Sequence, residues 1–324
     1  MNRSILNLSA LLIAAVLLVG VKPASAQSYP SQTIKLVVPF PAGGGVDLVA
    51  RIIAMPLASE LGQTVIVENR AGAGGALGAA AVAQSPPDGY TLLLGANSTH
   101  GTNPSVQTQK SYDPVGDFAP IVLVSSSPFF LLTHPKSPAT SVEELIALAR
   151  REPGKLNFGS YGLGSINHLT GELFNSMASL QTNHIPYRGS APALTDLIAG
   201  RLDFVFDGVS TLNYVKAGSL RALATAGARP AQAFPALPTI AATVSGFDVS
   251  LWFGLFAPKN TPQAIVALLN AKMNLVLKDE RVLEGLQKIG MEAAGDAPAV
   301  LARQVDAELR KWTNLAREKN ISVK

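Results

Sequence analysis

The chain has no cysteine at any of its 324 positions. That excludes disulfides, thiolate catalysis and Cys-ligated metal sites together. It also removes the lipid-bearing cysteine that a tethered exported protein needs at its cleavage point. Charge is scarce as well: Asp, Glu, Lys and Arg make up 15% of the residues, against about 25% in an average domain. A chain so poor in charge and so rich in Ala, Leu and Val has a substantial core to bury. The four histidines (His100, His134, His168 and His184) form no H-E-x-x-H or comparable metal-ligand spacing. Basic residues exceed acidic ones only slightly, 26 to 22, and are scattered without interleaved aromatics. No nucleic-acid partner is expected.

What is present begins with an export pattern. Arg3 gives a positive start, Leu6 to Val21 an apolar stretch, and Ala24-Ser25-Ala26 a small-x-small cleavage site. The stretch falls a little short of the roughly 20 residues that span a bilayer, and polar Gln27 and Ser28 follow at once. A signal peptide over residues 1–26, cleaved after Ala26, is therefore expected, and no later segment reads as a transmembrane helix. The remaining 298 residues suit one large or two medium domains. With no anchoring cysteine, the mature chain is expected free in a periplasm.

Strand-like runs alternate with helical ones, the signature of α/β layers around mostly parallel sheets. Strands are predicted at Ile34–Val38, Thr64–Glu68, Tyr90–Leu94, Ile121–Val124, Phe129–Thr133, Leu156–Phe158, His184–Tyr187, Phe204–Phe206 and Ala222–Ala226. Helices are predicted at Val46–Leu61, which Pro56 should kink or divide, and at Gly72–Ala83, Ser141–Arg150, Asn167–Met177, Ser190–Ala199, Thr261–Leu277 and Pro298–Lys319. Gly95–Gly101 and Asp113–Ala119 read as loops. Phe129–Thr133 and Trp252–Pro258 read as crossovers between two lobes, and the final helices as a return to the first. A strand, a glycine loop and a helix occur in that order twice, near 38–50 and near 157–175.

The first of these units reads IKLVVPFPAGGGVDLVAR from Ile34 to Arg51. A glycine loop opening into a helix puts unpaired N–H groups and the positive end of a helix dipole at one spot, which suits an anion. Pro39 to Asp47 contains no Lys, no Arg and no nucleophile, so the loop suits holding rather than reacting. Other chemistry fails on spacing. Ser98, Ser160 and Ser165 lie in glycine-rich loops, yet none has glycine at both −2 and +2 as a nucleophile elbow requires. In Gly72–Gly78 the third glycine of a dinucleotide fingerprint is replaced by Leu77. A Walker A loop is absent, and the aspartates never reach the density of a calcium loop. No cofactor, no metal and no catalytic residue is expected. Asp207, after LDFVF, faces a cleft or caps the next turn; Trp252 and Phe253 pack at a core or hinge, or wall a cleft.

PFPAGGGVDLVAR and VIVENRAGAGGALGAAAVAQSPPDGYTLLLG, followed in order by NFGSYGLGSINHLTGELF, IPYRGSAPALTDLIAGRLDFVFDG and LWFGLFAPKNTP, resemble the Bug-type extracytoplasmic solute receptors. These are the substrate-binding proteins of tripartite tricarboxylate transporters. The resemblance implies an α/β two-lobe periplasmic binding protein of the type II, Venus-flytrap kind, with a ligand cleft between the lobes. Lobe 1 would comprise residues 27–127 and 252–324, and lobe 2 residues 128–251. It also implies a monomer that binds a small organic carboxylate and serves membrane permease subunits, or a sensory receptor signalling to a membrane kinase. The ligand carboxylate would dock on the first loop at Phe40, Ala42, Gly43, Gly44, Val46 and Asp47. Relatives often carry Thr or Ser where this chain has Val46. Ser160, Gly164, Ser165 and His168 would face that loop across the cleft, and Asn97, Ser98, Thr99 and Asp207 would lie at the distal end of the ligand. A periplasmic hydrolase using Ser165 or Ser98 with His168 is the chemical rival.

Overall fold

Near-continuous burial along Ile34–Val38, with Ile34, Leu36, Val37 and Val38 inside and only Lys35 exposed, makes β1 a central strand. The computed structural model describes residues 29–208, 211–231 and 234–323; the export segment expected at residues 1–26 lies outside them. Among the described residues no helix is long and apolar enough to cross a membrane.

β1 leads through the first glycine loop into α1 (Gly45–Leu61), then β2 (Val65–Asn69), α2 (Ala76–Ala83) and β3 (Thr91–Ala96). β1 pairs in parallel with both β2 and β3, so the strand order reverses at β1. The crevice beyond the carboxyl ends of β1 and β3 is where open α/β sheets bind ligands. α1 buries Val46, Val49, Ala50, Ile53, Ala54 and Leu57 at helical spacing. It runs through Pro56 as one helix, so the proline does not divide it. A mid-helix proline costs about 3 kcal/mol, whereas burying Ile53 and Leu57 on either side returns roughly 1.5–3 kcal/mol each.

β4 (Phe118–Pro128) and β10 (Ser250–Pro258) complete this sheet as antiparallel strands, with a two-residue β11 (Glu292–Ala293) on the edge; the order is β11-β4-β10-β3-β1-β2. β4 is thus longer than the predicted Ile121–Val124, and Trp252–Pro258 is a strand inside the first sheet. The expected loop at Gly95–Gly101 is instead the end of β3, a turn of π-helix at Ser98–Thr102 and the short α3 (Asn103–Val106). Asn97, Thr99 and His100 are polar but buried: Asn97 bonds to Ser250, Trp252 and Glu308, and the Thr99 hydroxyl to Ala96 and the His100 ring.

The second sheet has the order β7-β6-β8-β5-β9, formed by β5 (Phe130–Thr133), β6 (Asn157–Ser160), β7 (Asn183–Pro186), β8 (Phe204–Asp207) and β9 (Arg221–Thr225). Helices α4 (Val142–Arg151), α5 (Ile166–Ala178), α6 (Ser190–Ile198) and α7 (Leu212–Lys216) connect its strands. β6 pairs in parallel with β7 and with β8, repeating the β2-β1-β3 arrangement with its own reversal point at β6 and β8. The sequence echo is therefore a topological one.

The chain crosses between the sheets twice, at one place. Phe129 alone separates β4 from β5, and β10 begins at Ser250, paired with Pro128. The Ala226 amide donates to the Phe129 carbonyl at 2.7 Å, and the Val249 amide to the Ala226 carbonyl at 2.8 Å. A third link comes from the end of the chain. After α8 (Gln263–Val276) and α9 (Glu280–Lys288), the 21-residue α10 (Pro298–Glu318) puts Leu301 and Val305 into the core around Trp252 and Phe256. Its second half puts Trp312, Leu315 and Ala316 into the core around Phe158, Phe174 and Phe206. A helix of that length reaches about 31 Å, long enough to serve both cores, so the last helix does not simply return to the first sheet. α9 falls in the stretch after Leu277 where the sequence predicts no element.

Because Trp312 is fully buried where α10 enters the second core, Trp312→Ala is expected to cost about 3–5 kcal/mol. Urea unfolding followed by circular dichroism checks this, with the two sheets losing stability together rather than in separate transitions.

Candidate functional site

The first glycine loop is shaped by a side chain of the helix it precedes. Asp47 is buried, and its Oδ2 accepts the Gly43 amide at 2.8 Å and Arg51 Nε at 2.9 Å. Its Oδ1 accepts Asn69 Nδ2 at 2.9 Å, and the same Nδ2 donates to the Phe40 carbonyl at 3.1 Å. The bond from Arg51 comes first among the forces that hold the Asp47 carboxyl down at about 2. Gly43 takes φ +83°, a left-handed conformation open to glycine at little cost. Ala42, Gly43 and Gly44 are exposed, whereas Phe40 is half-buried, and a Cβ on Gly75 would stand 3.0 Å from its ring.

Gly44 caps α1 without any side-chain hydrogen bond, and the first intrahelical bond is Leu48 N to Gly44 O at 2.9 Å. The amides of Gly45, Val46 and Asp47 consequently have no partner among the described residues. Three free N–H groups at the positive end of a 17-residue helix make an anion cradle. Of the residues expected here, Gly43 and Asp47 have their amide and carboxylate, respectively, occupied within the loop. Val46 is buried, so its side chain sits in the core and its amide is what it offers a ligand.

At the neighbouring reversal point Asn97 is 2% exposed and fully used. Its Nδ2 donates to the Ser250 carbonyl at 3.0 Å and to Glu308 Oε2 at 3.1 Å, while its Oδ1 accepts the Trp252 amide at 2.8 Å. Asn97 ties the end of β3 to the crossing strand and to α10. Ser98 is half-buried at the start of the π-turn, and Thr99 spends its hydroxyl on Ala96 and His100 Nδ1.

The second glycine loop is capped by its own residues. Ser165 Oγ accepts the His168 amide at 3.3 Å and donates to the Gly162 carbonyl at 2.7 Å; His168 Nδ1 accepts the Gly164 amide at 3.1 Å. His168 stacks on His184 at 3.9 Å, and burial pushes the two rings down to about 3 and about 4. Ser160, wholly buried, meets His184 Nε2 at 2.6 Å. A Cβ on Gly164 would lie 2.9 Å from Val106 and 3.0 Å from Val323, so this loop packs on the end of α3 and the chain terminus. Asp207 ends β8, 6% exposed, and accepts the Tyr161 hydroxyl and the Gly208 amide. Burial leads in pushing its carboxyl up to about 6.

The two units meet around the crossing. A Cβ on Gly45 would lie 3.9 Å from the Phe253 ring, and one on Gly208 would lie 2.9 Å from Leu251. The floor between them is thus β10, and Phe253 belongs to the cleft side of it. Grooves of about 480 Å³ beside α1 and β2 and about 420 Å³ beside α7 and β9 lie elsewhere; the glycine loops are the candidate because they hold free donors at a reversal point. Three residues that bond to the expected site residues carry no sequence signal of their own: Asn69, Glu308 and Tyr161. Asn69 was discoverable, since parallel pairing of β2 with β1 sets it beside Val38 at the loop entrance.

Because its carboxyl is depressed in the folded chain, Asp47 contributes stability that is complete above the ordinary carboxylate value of about 3.9 and is lost as pH falls toward about 2. Asp47→Asn is expected to lower the melting temperature at pH 7, with the gap from the unsubstituted protein closing between pH 4 and pH 2. Thermal unfolding across that range measures it.

The family model for the tripartite tricarboxylate transporter family receptor matches residues 49–321. Protein BugT of Bordetella pertussis is 37% identical over 93% of this chain and 94% of its own. Among solved structures, Rpa4515 of R. palustris, with adipate, is 38% identical at a TM-score of 0.78, covering 91% of this chain and 99% of that one. MatC of Rhodopseudomonas palustris, with bound malate, is 34% identical at a TM-score of 0.74, covering 89% and 99%. With two sheets linked at one crossing and a match of this extent, the chain belongs to the tripartite tricarboxylate transporter receptor family, as a Bug-type solute receptor with the two-lobe periplasmic binding protein fold.

Proposed function

We propose that the protein captures a small carboxylate-bearing organic anion between its lobes and presents it to the membrane permease subunits of a tripartite tricarboxylate transporter. The observation that carries this is the uncapped start of α1, where the amides of Gly45, Val46 and Asp47 remain free in a loop braced by Asp47 and Asn69. Oriented N–H groups hold a carboxylate without a buried cation, so no fixed ion pair has to be desolvated. Relatives solved with adipate and with malate support a carboxylate as the ligand class.

The lobes in this reading are residues 27–127 with 252–324, and residues 128–251, in keeping with crossings at Phe129 and at Val249–Ser250, while the second half of α10 also packs into the second core. Closure about that crossing brings the second loop toward the first, and the ligand drives it by binding the closed form more tightly. The protein works as a periplasmic monomer after loss of residues 1–26, and by binding rather than by chemistry. Supporting this, Ser165 donates to a carbonyl instead of a histidine, and Ser160 is inaccessible in its pairing with His184.

A thermal-shift screen of mono- and dicarboxylates is expected to yield ligands that raise the melting temperature. Gly45→Pro tests the cradle: proline is tolerated at the first helical position, Gly44 already has the extended backbone that precedes proline, and one donor amide is removed. The expected result is at least a tenfold weaker affinity by calorimetry with an unchanged melting temperature of the free protein. Unchanged affinity, or a screen in which no carboxylate stabilises the protein, overturns the reading.

A further inference from the structure

The two sheets end in four edge strands, β11, β2, β7 and β9, and three of them are blunted. β11 is two residues long, β7 closes on Pro186, and β9 is covered where the Thr225 amide donates to the Pro238 carbonyl at 2.8 Å. β2 is a five-residue strand, VIVEN, in unbroken register with β1. It has no proline, no lysine and no bulge, the usual guards of an exposed edge. The Ile34 amide donates to the Thr64 carbonyl and the Arg70 amide to the Val38 carbonyl, so the even-numbered residues turn their backbone toward β1. Alternation then points the N–H and C=O groups of Val65 and Val67 away from the sheet. Nothing pairs with them among the described residues.

Beside this edge lies a groove of about 480 Å³, lined from α1 by Arg51, Ala54, Met55 and Ala58 and from β2 by Val65 and Val67. Met55 is 78% exposed. An edge strand next to a helix is the geometry in which an extended peptide joins a sheet: its main chain pairs with the edge and alternate side chains enter the groove. Charge narrows the occupant further. Arg51 is the one charged residue among those that line the groove, and its side chain is 55% exposed. A guanidinium has five N–H donors, and the structure gives partners to two of them, Nε on Asp47 and Nη2 on Asn69 at 3.4 Å. A carboxylate in the groove is therefore met without displacing Asp47. A second copy of the chain does not supply that carboxylate, because its β2 carries Glu68 on the face opposite Val67, already paired with Arg70.

We propose that the edge of β2 and the groove beside α1 are a docking site for an extended segment of a partner protein, which joins the sheet as a further strand and sets an acidic side chain on Arg51 at the Asn69 end. The main-chain pairing supplies affinity, and the groove and Arg51 supply the choice of side chains. The surface is separate from the carboxylate cradle; only the assignment of the segment to a permease subunit rests on the reading given above. Because Arg51 also holds Asp47, and Asp47 holds the Gly43 amide, a docked partner sits one ion pair away from the first glycine loop.

Fluorescein-labelled peptide amides TVTVTDT and TDTVTVT test this by anisotropy with the purified protein, each against the same sequence with N in place of D. The two place the acid at the Asn69 end in parallel and in antiparallel addition, respectively. At least one acidic peptide is expected to bind saturably, about threefold to fivefold more tightly than its asparagine counterpart at low salt, as one exposed ion pair allows. In that complex, hydrogen exchange followed by NMR is expected to slow roughly tenfold or more at the Val65 and Val67 amides, and to stay unchanged at Ile66 and Glu68, which already bond to β1. Val67→Pro removes only an outward N–H, which an edge strand tolerates, and is expected to weaken the peptide about tenfold at an unchanged melting temperature. The exchange pattern and the acid-to-asparagine ratio are read in the unsubstituted protein, so a poorly folded Val67→Pro leaves the test intact. No saturable binding, binding without protection of Val65 and Val67, or equal affinity for the acidic and asparagine peptides overturns the inference. A dimer in sedimentation that Val67→Pro dissociates also overturns it, by making a second copy the occupant. None of these outcomes touches carboxylate binding at α1, so that reading stands or falls on its own titrations.

Discussion

The carboxylate of Asp47 holds the first glycine loop in shape, and the proposed binding surface depends on it. By taking the Gly43 amide and Asn69 Nδ2, it fixes the loop against the end of β2. A buried acid three residues into a helix already sits favourably in the helix dipole, yet beside an anion site its charge is a liability. Arg51, one turn further along and largely exposed, offsets that charge. The cradle is then polar but locally neutral, with its donors drawn from the backbone. Backbone donors do not reorient when the ligand arrives, so the site is organised before it is filled.

A second set of contacts ties the two halves of the chain together. Asn97 bonds the return strand at Ser250 and Trp252, and Glu308 receives Asn97, Lys311 and the Trp312 indole. One asparagine thus links the reversal point of the first sheet, the crossing and the helix that enters both cores. The closure proposed above would turn about this cluster and the Phe129–Ala226–Val249 backbone bonds. The cleft floor, made by Leu251 and Phe253 on the same strand, is therefore built into the hinge.

Much of the architecture was legible in the residues. Apolar runs such as LVV and LLL and the capped helix at Ser141 declare their elements because burial and capping act locally. The repeated strand, glycine loop and helix point to two α/β lobes, and each of the two sheets has its own reversal point. Elements were misread where polarity and burial coincide. Asn97 and His100 look like part of a solvated loop, and are buried because their partners lie at Ser250, Glu308 and Phe256, more than 150 residues away. α9 is a nine-residue helix between stronger apolar patterns, too short to declare itself in the sequence. The candidate site was legible in outline through the glycines, while the division of labour within it was not: Gly43 and Asp47 spend an amide and a carboxylate on the loop itself, and the free donors belong to Gly45, Val46 and Asp47.

The sequence by itself determined an exported pattern, the absence of thiol chemistry, the α/β alternation and the location of an anion-friendly glycine loop, since each follows from composition or from neighbours within a few residues. Tertiary structure alone decided that Asp47 is braced by Asn69, that α10 serves both cores, and that Asp207 is buried without a cation beside Tyr161. The reason is physical. A side chain's charge and shape are local properties, but its solvation and its partners are set by which distant segments the packed sheets bring to it.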